Sequence, residues 1–396
     1  MKKIYFDNIS GTPVHPEVFK EMMPYLTEHF GNPQAIHIFG EAVKEAIDHA
    51  REKVAGLINA KPNEIYFTAN GTESNNFALK GLALANQNKG KHIIISSIEH
   101  HSIMHPAKSL ENQGFKISYI PVDKFGMINP DDVLKEIKDD TILVSIMFAN
   151  SEVGTIQPID EISKIVKQKG ILFHTDAVAA AGIIPIDAAA LNIDALSLTA
   201  CQFYGPKGAA ALYLKNGVRI LPFLEGGTQE DGRRAGTENV YSIVGLGKSA
   251  ELAKQEMNSR INILTKLRDK LIKELPKTSE RIYVTGSVEK RLPHHASFCI
   301  EFVEGESMLL NLSMKGIAVS SGSVCTSKIL KASHVLKAMN IPTALAQGSI
   351  VFSLGISNTV EDIEYVLQEF PPIIEKLRSM SPLYAKYLKE KGEQNA

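Results

Sequence analysis

From about residue 60 the chain alternates short, unbroken apolar runs with longer amphipathic stretches, and few architectures accept that order. The runs are EIYFTA (64–69), HIIIS (92–96), ISYIPV (117–122), TILVSIMFA (141–149), GILFHTDA (170–177), ALSLTA (195–200) and AAALYL (209–214). They lack the polar alternation of a strand with one wet face, so both faces need cover. Between most of them lie helical stretches: TESNNFALKGLALANQ (72–87), with Thr72 as an N-cap, then IMHPAKSLENQG, PDDVLKEIKDD and IDEISKIVKQKG. Repetition of strand, helix and strand predicts an α/β fold, a mostly parallel sheet between helical layers. Ligands of such sheets bind beyond the carboxyl ends of the strands.

After residue 240 the texture changes. Residues 241–275 read as one long helical stretch broken near Asn258. Strands follow near 281–285, 296–302 and 317–320, with helices near 306–314 and 360–379. This predicts a large α/β domain over 15–257 and a smaller α+β domain made of 1–14 with 258–396. The final KEKGEQNA reads as a frayed tail. A formal net charge of −1 among 396 residues gives no general attraction to nucleic acid or to acidic membranes. No apolar segment is long enough to span a membrane. The three cysteines, Cys201, Cys299 and Cys325, are sparse and share no metal-ligand spacing. With no signal-peptide pattern at the N-terminus, they predict a cytoplasmic protein.

Polar residues gather where the strands should end. Asn70, Gly71 and Thr72 open a helix, and a Gly-Thr at such a start can hold a phosphate with backbone N–H groups. Glu99 and His100 follow one strand; Asn150, Ser151 and Glu152 follow another; Asp176 ends a third; Cys201 and Gln202 follow a fourth. The parallel-sheet reading predicts that they converge on one edge. Each also has a plainer reading. Asp176 can cap the next helix, His100 can be a satisfied core histidine, and Cys201 can be a small buried filler. His294 and His295, after Pro293, read as a surface turn. His101 and His105 are four apart on one helix face, but no third ligand has motif spacing, so no metal site is expected.

Taken in order, a series of short motifs carries a family likeness that runs nearly end to end. They include YFDN and TPVHPEV at the start, FGNPQAIHIFG (30–40), NGTESNN, GKHIIISSIEH, NSEVGTIQP, FHTDA, YGPKG, GRRAGTENV, VEGESML, SSGSVCTS, FSLGISNT and LRSMSPLY. The sequence resembles the cysteine desulfurases, which belong with the class V aminotransferases among fold-type I pyridoxal-phosphate (PLP) proteins. The resemblance implies the fold-type I architecture and a homodimer. It implies that Thr72, at the Gly71-Thr72 helix start, holds the PLP phosphate, that His100 stacks on the pyridine ring, that Asp176 pairs with the ring nitrogen, and that Ser151, Thr199 and Cys201 also lie at the cofactor. Thr237 would reach the phosphate of the neighbouring subunit's site. Cys325 would attack the substrate sulfur and carry it as a persulfide. The C-terminal SPLYAKYL would dock an iron–sulfur scaffold or sulfur-acceptor partner.

The sequence departs from the family at several of these places. The family turn before YGPKG reads S-x-H-K, and its lysine forms the imine with PLP; here the stretch is Thr199-Ala200-Cys201-Gln202. An amide forms no imine and has no useful basicity near neutral pH. Lys207 is five residues on, beyond Gly205-Pro206, and would need the turn to refold. Ser151 and Ala179 replace an asparagine and a glutamine that contact the cofactor. Val351 replaces the arginine of S-I-R-F-S-L-G that grips the substrate carboxylate. A charge-assisted pair of that kind contributes about 1.5–3 kcal/mol, a ten- to hundredfold effect on binding.

Three functions follow from this mixed pattern. The first is a desulfurase-like protein that has lost lysine-dependent chemistry and works in sulfur relay or cluster assembly through Cys325, with PLP non-covalently held or absent. The second is an enzyme of altered chemistry using non-covalent PLP, its amine form or another ligand. The third is a genuine desulfurase with an unorthodox site. Cys325 itself is either a relay thiol, accepting a persulfide by exchange, or a leftover.

Overall fold

The computed structural model describes residues 2–322 and 332–394. In chain order the strands are β1 (Ile4–Tyr5), β2 (Ile65–Thr68), β3 (His92–Ser96), β4 (Lys116–Ile120), β5 (Thr141–Ser145), β6 (Leu172–Asp176), β7 (Ala195–Thr199), β8 (Ala210–Leu214), β9 (Ile282–Val284), β10 (His295–Ile300), β11 (Ile317–Ala318) and β12 (Ser349–Ser353). The α-helices of the first half are α1 (Pro16–Met22), α2 (Pro24–Thr27), α3 (Ile38–Leu57), α4 (Gly71–Asn86), α5 (His101–Glu111), α6 (Pro130–Glu136) and α7 (Ile159–Gln168). Those of the second half are α8 (Val240–Thr278), α9 (Gly305–Met314), α10 (His334–Ala338), α11 (Thr343–Ala346), α12 (Val360–Ser379) and α13 (Pro382–Gln394).

Seven strands form the central sheet in the order β2-β8-β7-β6-β5-β3-β4. Only β8 runs against the others. The unbroken apolar runs are explained by two-sided burial. Along β3, Ile93 and Ile95 pack with Phe77, Leu82 and Leu110 of α4 and α5, while Ile94 packs on the other face with Val54 and Val144. All three isoleucines are completely buried. Because β2, β3, β5, β6 and β7 point the same way, their carboxyl ends share one edge, where the predicted polar residues lie.

Downstream, β10 sits between β12 and β9 in an antiparallel sheet, and β1 pairs in parallel with β11 through Ile4 and Ile317. A separate apolar cluster ties Phe6, Leu267, Leu271, Phe298, Phe352 and Phe370 together.

Several expectations need correction. Helix α8 runs unbroken through Asn258. That side chain is exposed, and Leu252, Met257 and Leu264 bury the helix's other face. An interior asparagine costs only about 0.5–0.7 kcal/mol of helix propensity, which such burial overrides. His294 and His295 form no surface turn. They are 3% and 0% exposed, and His295 opens β10. The His295 ring lies so close to Gly154 that a Cβ there would come within 2.6 Å of its Nδ1. Burial pushes the His294 pKa down to about 4 and holds His295 well below the ordinary range. The end of the chain is helical in α13 as far as Gln394 rather than frayed from Lys389. No helix among the described residues is long and apolar enough to cross a membrane.

Candidate active-site cleft

A cleft opens at the carboxyl edge of the central sheet. It is lined from β2 by Asn70, Gly71 and Thr72, from β3 by His100, from β5 by Met147 and Ser151, from β6 by Asp176, and from β7 by Thr199, Cys201 and Gln202. The convergence follows from topology, since each residue sits at or just beyond the end of a co-directional strand.

Asp176 is the centre of a buried hydrogen-bond chain. Its Oδ1 accepts the Val178 amide at 2.9 Å and its Oδ2 accepts Asn75 Nδ2 at 2.6 Å. Burial raises the Asp176 pKa, opposed by the Val178 amide, by His100 and by Asn75. Asn75 Nδ2 also donates to Ser102 Oγ at 2.8 Å. Ser102 Oγ lies 2.7 Å from His100 Nδ1, which also accepts the Ser102 amide at 3.1 Å. An Nδ1 that accepts a backbone N–H carries no proton of its own, so neutral His100 holds its proton on Nε2. His100 is exposed at the cleft, not a core histidine. Asp176 both caps the following turn and faces the cleft, so its two readings are compatible.

Another wall of the cleft is the start of α4. Asn70 caps it, its side chain accepting from the Glu73 amide at 2.9 Å. Thr72 therefore stands inside the first turn, not at the N-cap. Gly71 is required by close approach: a Cβ there would fall 2.6 Å from Val178 Cγ2. Glu73 accepts the Ala69 amide and pairs with Arg234, fastening the segment 232–240 to the helix start. Such a terminus presents unpaired N–H groups and a positive dipole end to the cleft.

On the opposite wall, Gln202 donates from Nε2 to the Ile9 carbonyl at 2.7 Å. The same turn is bound to the N-terminal segment by Thr12 N to Cys201 O and by Tyr204 N to Thr12 Oγ1. Cys201 is half-exposed in the cleft rather than a buried filler, with its Sγ 3.7 Å from Thr199 Oγ1. No lysine or arginine lines the cleft among the described residues. Lys207 is exposed, its Cε lying 3.7 Å from where a Cβ on Gly11 would be, and it does not reach the lining.

Three predicted positions stand apart. Val351 is 3% exposed inside β12, where it exchanges backbone hydrogen bonds with Ser320, and it does not line the cleft. Thr237 is exposed and contributes nothing to the cleft of its own chain. Cys325 lies outside the described residues. The sequence reading missed Asn75, Ser102, Met147 and Ile9 as lining residues. Asn75 did leave a signal: it is an amide on the face of α4 that buries Ser74, Ala78, Leu79 and Leu82. A polar group at a core position without an evident partner marks a functional or strained site.

The family model described as aminotransferase class-V matches residues 4–366. The chain is 53% identical to the cysteine desulfurase IscS of Methanosarcina thermophila, over 97% of this chain and 95% of that protein. It is 51% identical to the cysteine desulfurase IscS of Dictyoglomus turgidum, over 96% and 97% of the two chains. Among solved structures, a NifS-like protein superposes with a TM-score of 0.90 at 38% identity, covering 95% of this chain and all of that one. End-to-end coverage at these identities leaves one placement: the chain belongs to the class V aminotransferase family, in its cysteine desulfurase group.

Proposed function

We propose that this chain is a desulfurase-like protein that forms no covalent link to PLP and serves sulfur relay or iron–sulfur cluster assembly through Cys325 and a protein partner. One observation carries the reading. The side chain at the position of the imine lysine is an amide, hydrogen-bonded to Ile9, in a cleft whose described lining has no lysine.

The residues fit the ring and phosphate of PLP and not its covalent anchoring. Asp176 is a buried carboxylate suited to a ring N–H, and His100 flanks it at the cleft surface. Gly71, Thr72 and Thr199 would hold the phosphate, with Thr237 of a second copy. Ser151 would stand near the ring substituents. When bound, the cofactor supplies an electron sink. The chain contributes the buried carboxylate, the oriented imidazole and the helix start, while Gln202 neither binds covalently nor moves a proton. Loss of the arginine at Val351 removes the carboxylate grip independently of Gln202.

A homodimer is supported by a surface with exposed Phe30, Ile36, Ile38 and Phe39 on one segment and Leu221, Phe223 and Leu224 on another. The C-terminal α13 stacks Tyr387 on Phe302 and sets Tyr384 against the same ring at a tilt, leaving Leu383 and Leu388 exposed, which suits a docking helix for the acceptor. A cytoplasmic location belongs to the same proposal.

The retained Asp176–Asn75 pair favours a second reading, an enzyme that uses non-covalent PLP for altered chemistry. The test is an absorbance spectrum of purified protein with and without added PLP, followed by borohydride and intact-mass measurement. The proposal expects any PLP band to dialyse away and no mass increment after reduction. Reduction of PLP onto the protein would refute it and direct attention to Lys207.

A further inference from the structure

We propose that His295 and Ser353, a facing pair in the antiparallel sheet of β9, β10 and β12, are positioning residues that set the width of the cleft. Neither lines it. His295 fixes the wall that carries Ser151, and Ser353 fixes the wall that carries Gln202. One strand pair outside the cleft thus sets the span in which a ligand must fit. What that span holds rests on the proposed reading that the cleft admits PLP, with Ser151 near the ring substituents.

On the first wall, His295 Nε2 lies 2.8 Å from the Ser151 carbonyl. A carbonyl only accepts, so Nε2 carries the ring proton and donates it. The ring's Nδ1 has no partner among the described residues, so the Ser151 bond is the ring's one polar contact there. Burial first, then the charges of Arg291 and His294, keep the ring neutral. Gly154 makes room for it, at φ +75° and with no Cβ to meet Nδ1. Arg291 Nη1 donates to the His295 carbonyl at 3.3 Å, which holds the backbone of the same residue.

On the second wall, Ser353 Oγ accepts the Ile9 amide at 2.8 Å and donates to the Phe6 carbonyl at 3.3 Å. The Ser353 carbonyl accepts Asn8 Nδ2 at 2.8 Å. Ile9 lines the cleft, and its own carbonyl holds Gln202 Nε2 at 2.7 Å. His295 and Ser353 are register partners of β10 and β12. Facing residues of an antiparallel pair keep their Cα atoms ~4.5–5.5 Å apart. The path from Ser151 to Gln202 therefore runs through His295, Ser353 and Ile9 with no slack joint. His295, Phe298, Phe352 and Ser353 are completely buried, and a close-packed interior passes on a displacement instead of absorbing it. Loss of either side-chain bond frees one wall, and a ligand that touches both walls is then held less tightly.

The test uses the full-length chain carrying Cys325→Ser, which leaves Cys201 in the cleft as the accessible thiol, since Cys299 is completely buried. Two quantities are read: the rate of iodoacetamide alkylation at Cys201, by peptide mass, and the dissociation constant of added PLP, by its absorbance and induced circular dichroism. His295→Leu and Ser353→Ala are each expected to speed alkylation about fivefold or more and to weaken PLP binding about tenfold. His295→Gln keeps a side-chain N–H for the Ser151 carbonyl and is expected to recover both readouts to within about twofold. Equal impairment by His295→Gln and His295→Leu would assign the effect to the bulk of the ring and overturn the proposal. Unchanged alkylation and PLP binding in Ser353→Ala would overturn it as well, and that variant keeps the test valid if His295→Leu does not fold. If the unsubstituted protein takes up no PLP, the cofactor reading fails, while the alkylation rates still decide the positioning pair.

Discussion

Glu99 offers a pH-dependent test of how the floor of the cleft is built. The residue is completely buried between β3 and His100. Its Oε1 accepts Ser96 Oγ at 2.6 Å and the Met147 amide at 2.8 Å, and its Oε2 has no partner among the described residues. Burial pushes its pKa up to about 8, against the two donors and with a smaller push from Asp176. A carboxyl raised in this way keeps a proton in the folded state that the unfolded chain gives up. Stability is therefore full below the unfolded value of 4.5 and is lost as pH rises toward the folded value.

With those two values, the loss between about pH 6 and about pH 8.5 is about 2.5 kcal/mol. At ~2.1 cal/mol/K per residue over 396 residues, that is a fall of about 3 °C in the thermal midpoint from this group alone. Glu99→Gln keeps the Oε1 acceptor and places an amide nitrogen where Oε2 stood, so it mimics the protonated acid. By the same relation the variant should already melt about 2.5 °C above wild type at about pH 6 and about 5.5 °C above it at about pH 8.5, a gap that widens by about 3 °C. Midpoints recorded across this range in parallel cancel every other titration the two proteins share. A gap that stays constant from pH 6 to pH 8.5 would refute the burial argument.

Two further substitutions probe the cleft itself. Gln202→Lys should give a PLP band that borohydride fixes to the protein, yet cysteine turnover should need Val351→Arg as well. Turnover with Gln202→Lys alone, read as alanine release, would sink the two-lesion account. Asn75→Ala takes a charge-assisted donor from the buried Asp176 carboxylate, a loss of about 1.5–3 kcal/mol when that group is ionised. Because burial already raises the Asp176 pKa, the deficit should be larger at about pH 7 than at about pH 4, where protonation relieves it. Urea midpoints at the two pH values check this, and an equal deficit at both would count against it.

The sheet was legible because its strands are buried on both faces, which writes the burial into unbroken apolar runs such as Ile93–Ile95. The cleft was legible because co-directional strands must deliver their ends to one edge. What escaped was set by contacts between distant parts of the chain. Asn75 meets Asp176 across 101 residues. His334 meets the Glu99 carbonyl across 235. The burial of His295 depends on its bond to the Ser151 carbonyl and on a glycine at 154, neither visible from the neighbouring Pro293. Cys201 read as a filler because a thiol is small and apolar, while its position beside Gln202 places it in the wall.

On the proposed reading, these long-range bonds are what holds the cleft together without a covalent anchor. An imine lysine contributes to a fold only through the group it holds, so replacing it removes chemistry without removing structure. Here Gln202 donates to Ile9, and Thr12 and Cys201 fasten the same wall to the N-terminal segment. On the floor, Asp176 receives its donors from Val178 and Asn75, within the chain. A buried carboxylate satisfied this way does not need a bound ring nitrogen to avoid the cost of an unpaired charge. The cleft is thus held open by the protein's own hydrogen bonds. On the proposed reading, that independence lets Gln202 and Val351 stand where the resemblance expects a lysine and an arginine.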